Sequence, residues 1–419
     1  MKKSVIELFA GVGGFRVGLN HIKTMDENGK AVENGNWKFV WADQWEPGTK
    51  KQDAYECYKK RFGAEEVSNQ DISIVDVSKI PTHTLLCGGF PCQDYSVAHT
   101  LSSEKGIEGK KGVLFWDIIR FLKAKQTPFF LLENVDRLLK SPSKQRGRDF
   151  GIMLKTFDNI GYNMEWRVIN AADYGNAQRR RRVFLFGWKK GLEYDKRMQK
   201  EDAQNILTDS GLFAKSFQVE KTVENYRCID LGNYADAVDV TERFSCNFEN
   251  TGCMIHGKVY TTKIQPIYIT SKTIRDIQED GDCTKYILNE KQITKFAYLR
   301  GNKKILRTRN DGTQYYYSEG AMAPYDSLDL PGRTMLTSEG SVNRSTHIIP
   351  DKETGKLRIL TPIECERLQG FPDNWTKTDM TEKKRYFMMG NALVTNIIST
   401  LEKTLSQIIE NESPKRCSL

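Results

Sequence analysis

No stretch of this 419-residue chain approaches the length of a membrane span, and its mean hydropathy is −0.56; a spanning helix needs about 20 consecutive apolar residues. The opening Met1-Lys2-Lys3 before Val5-Ile6 imitates a secretion leader. Glu7 interrupts the apolar run and glycines follow, so the segment reads as a folded strand. There is no Cys-x-x-Cys pair. The nine cysteines are odd in number and scattered, which suits free thiols in a reducing compartment rather than a disulfide framework. Cys228, Cys246, Cys253, His256 and Cys283 come nearest to a metal set, but their spacings fit no tight zinc pattern, so no metal is expected. No internal repeat or low-complexity tract occurs. Strongly one-sided charge is also lacking. Lysine and arginine number 63 against 54 acidic residues, a net +9 with a pI near 8.9. That mild basic excess is compatible with a nucleic-acid partner without indicating one. The length suffices for a large core in two lobes.

What is present begins with alternation. Apolar runs at 5–9, 39–42, 84–87, 129–132, 165–169 and 183–186 predict buried strands. Leu114, Ile118, Phe121 and Leu122 fall at helical spacing and predict a helix over 113–122; a second is expected over 149–157. Such alternation predicts an α/β fold with a parallel sheet and helices on both faces. Beyond residue 190 the pattern dissolves. Residues 191–330 are polar, rich in Thr, Asn, Lys and Tyr, with short β-like runs such as 264–270, and read as an inserted recognition domain. Order returns at 357–372 and in a final helix over 392–409.

Several segments carry chemistry. Gly11-Val12-Gly13-Gly14 follows the first strand and opens a helix. The dinucleotide fingerprint needs a third glycine where Arg16 stands, so a phosphate cradle fits poorly, whereas close approach of a ligand to the backbone remains open. Asp43 to Glu46 end the second strand and Asp71-Ile72 follow a third; carboxylates there either hold ribose hydroxyls and adenine amines or cap helices. Leu85-Leu86-Cys87-Gly88-Gly89 runs into Phe90-Pro91-Cys92-Gln93, presenting a thiol past a strand end, where α/β enzymes put their ligands. A nearby helix N-terminus or cation would favour its thiolate. Glu133-Asn134 ends the next strand on the same edge, and a carboxyl desolvated there can carry a proton near neutral pH. In extended chain Gln178, Arg180 and Arg182 share one face and feed a buried strand, so at least one guanidinium is expected in the crevice. The basic clusters at 179–182, at Lys189-Lys190, and at Lys303-Lys304 with Arg307 and Arg309 read equally as solvated faces or as nucleic-acid contacts.

Taken in order, these segments resemble the DNA (cytosine-5) methyltransferases of bacteria and phages, over most of the chain outside 191–260. Residues 7–15 look like the family's S-adenosylmethionine loop, and 89–93 like its nucleophile motif. Glu133-Asn134-Val135 resembles its catalytic glutamate motif, and Gln178, Arg180 and Arg182 its Gln-x-Arg-x-Arg motif. Residues 367–372 are a further typical stretch, and Gly390-Asn391-Ala392-Leu393-Val394 resembles the last motif. Two positions depart from the family: Gln44, followed by Trp45, stands where a glutamate is usual, and Ala177 stands where a proline is usual. The ribose contact is left open between Gln44 and Glu46.

The resemblance implies a Rossmann-like mixed sheet with helices on both faces, plus a smaller irregular target-recognition domain. Residues 1–190 with 380–419 would hold catalysis and cofactor, and 191–379 would hold recognition. It implies catalysis by Cys92, Glu133, Arg180 and Arg182, with Gln93, Ser96, Asn134 and Gln178 against the substrate. The implied cofactor is S-adenosylmethionine, held by Phe9, Ala10, Gly11, Gly13, Gly14, Gln44, Trp45, Asp71, Ile72, Pro91, Asn391 and Ala392. Cys92 would add to C6 of a cytosine flipped out of duplex DNA, Glu133 would donate to N3, and Arg182 would bind O2 and hold Glu133, while residues 94–111 close over the base. Residues 273–277 and 291–295 resemble recognition segments of some members, and Arg307 and Arg309 are candidates for phosphate contact. The expected setting is a cytoplasmic bacterial or phage enzyme, monomeric, belonging either to a restriction-modification system whose nuclease acts separately or to a phage as a solitary enzyme; the existence of a cognate nuclease is left open. A tRNA substrate is the rival reading, which the long insertion disfavours; a catalytically dead DNA-binding relative is another, which the retained Pro91-Cys92 and glycine loop disfavour.

Overall fold

The computed structural model describes residues 1–90, 114–309 and 311–412. Nine strands form its central sheet: β1 (Ser4–Leu8), β2 (Lys38–Asp43), β3 (Leu85–Gly89), β4 (Phe129–Val135), β5 (Tyr162–Asn170), β6 (Arg181–Lys189), β7 (Glu224–Asp230), β8 (Thr251–Ile255) and β9 (Lys258–Lys263). Their order is β2-β1-β3-β4-β6-β5-β8-β9-β7. The first four are mutually parallel. Their apolar runs are continuous because both faces are covered. Ile6, Leu8, Leu86, Phe130 and Leu132 meet helices Leu114–Lys125 and Arg148–Asn159 on one face. Val5, Leu85, Cys87, Phe129 and Leu131 meet helices Gly14–Leu19 and Thr395–Asn411 on the other.

The expected parallel sheet stops at β4. β6 runs antiparallel to β4, and β5 antiparallel to β6. The link between β5 and β6 holds only one short turn, Ala171–Asp173, which is too little for the crossover that parallel neighbours need. The sheet also continues past residue 190, through β8, β9 and β7. β7 is exposed at six of its seven residues, so as an edge strand it shows no apolar pattern to read. The run at 264–270 makes only isolated bridges, at Pro266 and Ile269.

Beyond the sheet, helix Glu290–Arg300 leads into a hairpin of β10 (Lys303–Thr308) and β11 (Gln314–Glu319). β12 (Ile348–Pro350) and β13 (Leu357–Ile359) pair before helix Pro362–Gln369. The expected final helix over 392–409 is Thr395–Asn411, and a separate helix, Glu382–Asn391, precedes it. The chain is extended at Ala392, and Leu393 seats against Gly14. Among the described residues no helix is long and apolar enough to cross a membrane.

Candidate active site

The strand register brings the site together. β3 pairs with β4 so that Gly89 lies beside Glu133, and β4 pairs with β6 so that Val135 lies opposite Arg182. Side chains two apart on a strand share a face, so Glu133 and Arg182 project together at the carboxyl ends of the parallel strands. Arg182 Nε is 3.0 Å from Glu133 Oε1, with 18% and 13% of their side chains exposed. A Cβ built on Gly89 would lie 3.3 Å from Glu133 Oε2, so the glycine makes room for the carboxylate. Burial raises the Glu133 pKa above the ordinary carboxylate range, while Arg182 and then Arg180 pull it back. Asn134 Nδ2 donates to the Phe90 carbonyl at 2.9 Å, tying the end of β4 to the end of the β3 segment. Pro91, Cys92, Gln93 and Ser96, with the rest of 94–111, lie outside the described residues.

Gln178, Arg180 and Arg182 do not share one face. Arg180 N donates to Gln178 O at 3.0 Å, a turn that breaks the extended alternation before β6 begins. Gln178, expected against the substrate, is wholly buried; its Nε2 donates to Leu368 O at 3.3 Å and its Oε1 accepts from Met335 N at 3.0 Å. Arg180 is buried too, donating to Met335 O at 3.0 Å and Gly390 O at 2.9 Å. Both side chains therefore clamp later segments of the chain to the start of β6. Arg180 still contributes its field to Glu133, and burial lowers its own pKa to about 9.

The glycine loop joins β1 to helix Gly14–Leu19. Ala10 N donates to Asp43 O at 2.9 Å, and Gly11 N donates to Gln44 Oε1 at 2.7 Å, which pins the loop to the end of β2. Phe9 has φ 54, Gly11 φ 56 and Gly13 φ 87. The glycines differ in what they face. A Cβ on Gly13 would meet Phe62 at 2.6 Å and one on Gly14 would meet Leu393 at 3.1 Å, so these two serve packing. A Cβ on Gly11 would meet nothing within 4 Å among the described residues, which leaves this backbone open to a ligand. Trp375 Nε1 donates to Val12 O at 2.8 Å from the other side.

Around that opening, Asp43 is buried and its carboxyl is pushed up to about 7 by burial. Trp45 is 37% exposed. Glu46 Oε2 is buried with no hydrogen-bond partner among the described residues, and burial raises its pKa. Asp71 caps its own turn, accepting from Ser73 N at 3.0 Å, and Ile72 beside it is buried. Asn391 ends helix Glu382–Asn391 and Ala392 follows it, close to the loop through Leu393.

Glu7 was not anticipated. It is fully buried in β1, accepts from Phe15 N at 3.2 Å and from Tyr58 OH at 3.2 Å, and is pushed by burial to about 8. An acid inside an apolar strand, four residues before a glycine turn, is the signal that marks it.

Comparison with known proteins agrees with this geometry. The family model described as C-5 cytosine-specific DNA methylase matches residues 3–407. Type II methyltransferase M.Sau3AI of Staphylococcus aureus is 51% identical over 409 residues, covering 97% of this chain and 96% of the relative. Type II methyltransferase M.HhaI of Haemophilus parahaemolyticus is 24% identical over 393 residues, covering 94% and 91%. Among solved structures, S. pombe Dnmt2 methyltransferase aligns with a TM-score of 0.58 at 17% identity, covering 98% of this chain and 99% of that one, a likeness of fold.

Proposed function

Because the chain belongs to the C-5 cytosine-specific DNA methylase family and is a DNA cytosine-5 methyltransferase, we propose that Cys92, Glu133 and Arg182 are its catalytic centre. The observation that carries this assignment is the Glu133–Arg182 pair beside Gly89 and Phe90, two residues before Cys92 in sequence. Cys92, as thiolate, adds to C6 of the target cytosine and makes C5 nucleophilic. Glu133, its pKa raised by burial, holds the proton that it donates to N3 as negative charge builds there. Arg182 binds O2 and keeps Glu133 in place. Arg180 acts on Glu133 through its field and positions the chain, and Gln178 positions rather than contacts the base. Gln93, Ser96 and Asn134 complete the substrate side. Once C5 has taken the methyl group, loss of its proton to water expels Cys92 as thiolate, and N3 returns its proton to Glu133. The base must leave the duplex stack for this chemistry, and residues 94–111 are assigned to closing over it.

The cofactor we infer is S-adenosylmethionine, which when bound supplies an electrophilic methyl group on a sulfonium. Three features support its fit: the backbone at Gly11 and the buried oxygen of Glu46, both without a neighbour or partner among the described residues, and the exposed indole of Trp45. Gln44 is engaged with Gly11 N, so Glu46 is the better ribose acceptor. Phe9, Ala10, Asp71, Ile72, Pro91, Asn391 and Ala392 complete the pocket, while Gly13 and Gly14 shape it from behind. Catalysis and cofactor binding are assigned to 1–190 with 380–419, and recognition to 191–379, within which 224–263 also extend the sheet. The substrate is double-stranded DNA, and the protein acts as a cytoplasmic monomer, separately from any cognate nuclease.

Tritiated methyl transfer to duplex DNA by Cys92→Ala tests the centre. Loss of transfer with cofactor binding retained is expected; undiminished transfer would overturn it.

A further inference from the structure

The hairpin β10–β11 is built unlike the rest of the molecule. In an antiparallel pair, opposed residues point to the same face. One face carries Arg307 opposite Tyr315 and Ile305 opposite Tyr317, with the Arg307 guanidinium 3.8 Å from the Tyr317 ring centre. The other face carries Lys304 opposite Ser318, Leu306 opposite Tyr316, and Thr308 opposite Gln314. All six residues of this second face are exposed, Leu306 at 50% and Tyr316 at 60%. Its cation is stacked, with Lys304 Nζ 4.6 Å from the Tyr316 ring centre, whereas the side chains of Thr308 and Gln314 have no hydrogen-bond partner among the described residues.

Only the root of the ribbon is anchored. Lys303 Nζ reaches Glu319 at 3.3 Å and Leu299 O at 3.0 Å, and Arg344 donates to Leu299 O at 2.7 Å and to Gly320 O. From there the chain is fixed to the catalytic sheet. Arg300 and Arg333 share Asp326, at 2.8 and 2.6 Å, and Gly332 exchanges backbone hydrogen bonds with the Gln178 segment just before β6. Lys304, Arg307 and Arg309 project from this root with no acidic side chain in an ion pair with any of them among the described residues, which complements a polyanion.

Resting on the reading above that duplex DNA is the substrate, we propose that this ribbon enters the major groove of the target, where Thr308 and Gln314 read base edges while Lys304, Arg307 and Arg309 hold phosphates. The dimensions select the groove. A two-stranded ribbon with side chains is about 10 Å thick, which fits a major groove about 12 Å wide as it stands, whereas a minor groove about 6 Å wide would first have to be opened. The chemistry selects the roles. A glutamine amide can pair bidentately with adenine, and leucine and tyrosine side chains offer apolar contact to a thymine methyl. The arginines and lysine act as phosphate contacts that carry no sequence information.

The test begins with bisulfite sequencing of plasmid DNA from an expressing host, which gives the sequence methylated by the full-length wild type. Duplexes with that sequence, and with each base pair changed singly, then serve as substrates. Gln314→Ala is expected to lower kcat/KM on the intact site by about ten- to a hundredfold and to lose discrimination at one base pair. Thr308→Ala is expected to act at the same or the adjacent pair. Arg307→Ala with Arg309→Ala is expected to weaken binding to every duplex alike and to reduce the slope of log K against log salt by about two. Thermal midpoint and S-adenosylmethionine binding should stay at wild-type values, because these side chains are exposed. Unchanged discrimination at every base pair in Gln314→Ala and Thr308→Ala would overturn the base-reading role, and an unchanged salt slope in the double variant would overturn the groove placement. Failure of the wild type to methylate any DNA would instead overturn the reading of the substrate.

Discussion

Arg182 lies 3.0 Å from Glu133 because antiparallel pairing sets it opposite Val135, one pleat beyond the acid. Burial and this guanidinium act on the carboxyl in opposite directions, and burial is the larger. The proton that Glu133 is proposed to donate is lost as pH rises through its pKa. Removing Arg182 removes a lowering influence, so in Arg182→Ala the alkaline limb of kcat/KM should move to higher pH while kcat falls by about a hundredfold. Glu133→Gln should cost about 10²–10⁴ in kcat and abolish that limb. A pH–rate profile of methyl transfer reads both. An alkaline limb at the same pH in Arg182→Ala would contradict the coupling.

The glycine loop makes a different prediction at each glycine. Gly13→Ala combines a left-handed φ with a Cβ 2.6 Å from the Phe62 ring, so it should lower stability by about 1–3 kcal/mol. Gly11→Ala meets only the φ penalty, roughly 1 kcal/mol, and should chiefly weaken S-adenosylmethionine binding. Urea midpoints and calorimetric titration separate the two effects.

Glu7 should make the protein's stability fall with alkalinity. Its folded pKa of about 8 lies above the ordinary value of 4.5, so the folded state holds a proton that the unfolded state releases. Stability is full below about pH 4.5 and is lost as pH rises toward 8, by on the order of 1 kcal/mol per pH unit. Glu7→Gln keeps an acceptor oxygen for Phe15 N and presents an amide donor to the Tyr58 hydroxyl oxygen, without the charge. Its denaturation midpoint should exceed the wild type's at pH 8 and approach it at pH 5.

Arg180→Met should destabilise by about 2–4 kcal/mol, since the carbonyls of Met335 and Gly390 lose their charged donor inside the protein. Chemical denaturation checks this. A midpoint equal to wild type would show that the clamp contributes nothing.

The parts legible in the sequence were those fixed by local pattern. β1, β3 and β4 are buried on both faces, so their apolar runs stand out, and strand ends predict which edge carries Glu133. β7 was invisible because an edge strand needs no apolar face. The clamp by Gln178 and Arg180 was invisible for another reason: its partners are Met335, Leu368 and Gly390, far along the chain, and extended alternation suggested one shared face instead. The glycine loop was read as open to a ligand throughout, yet Phe62 and Leu393 occupy the space beside two of its glycines, and neither neighbour follows from the loop's own sequence.

Gly89 carries one more implication. Its backbone is not left-handed, so the main chain there would accept alanine; the neighbouring Glu133 oxygen, 3.3 Å from the missing Cβ, sets the limit. A methyl group would shift the carboxylate by a few tenths of an ångström and loosen its hold on Arg182. The two positions are therefore epistatic: alanine at 89 should harm the active enzyme and be nearly silent once the acid has been shortened. Tolerance of a side chain at the glycine is thus set by the carboxylate on the adjacent strand.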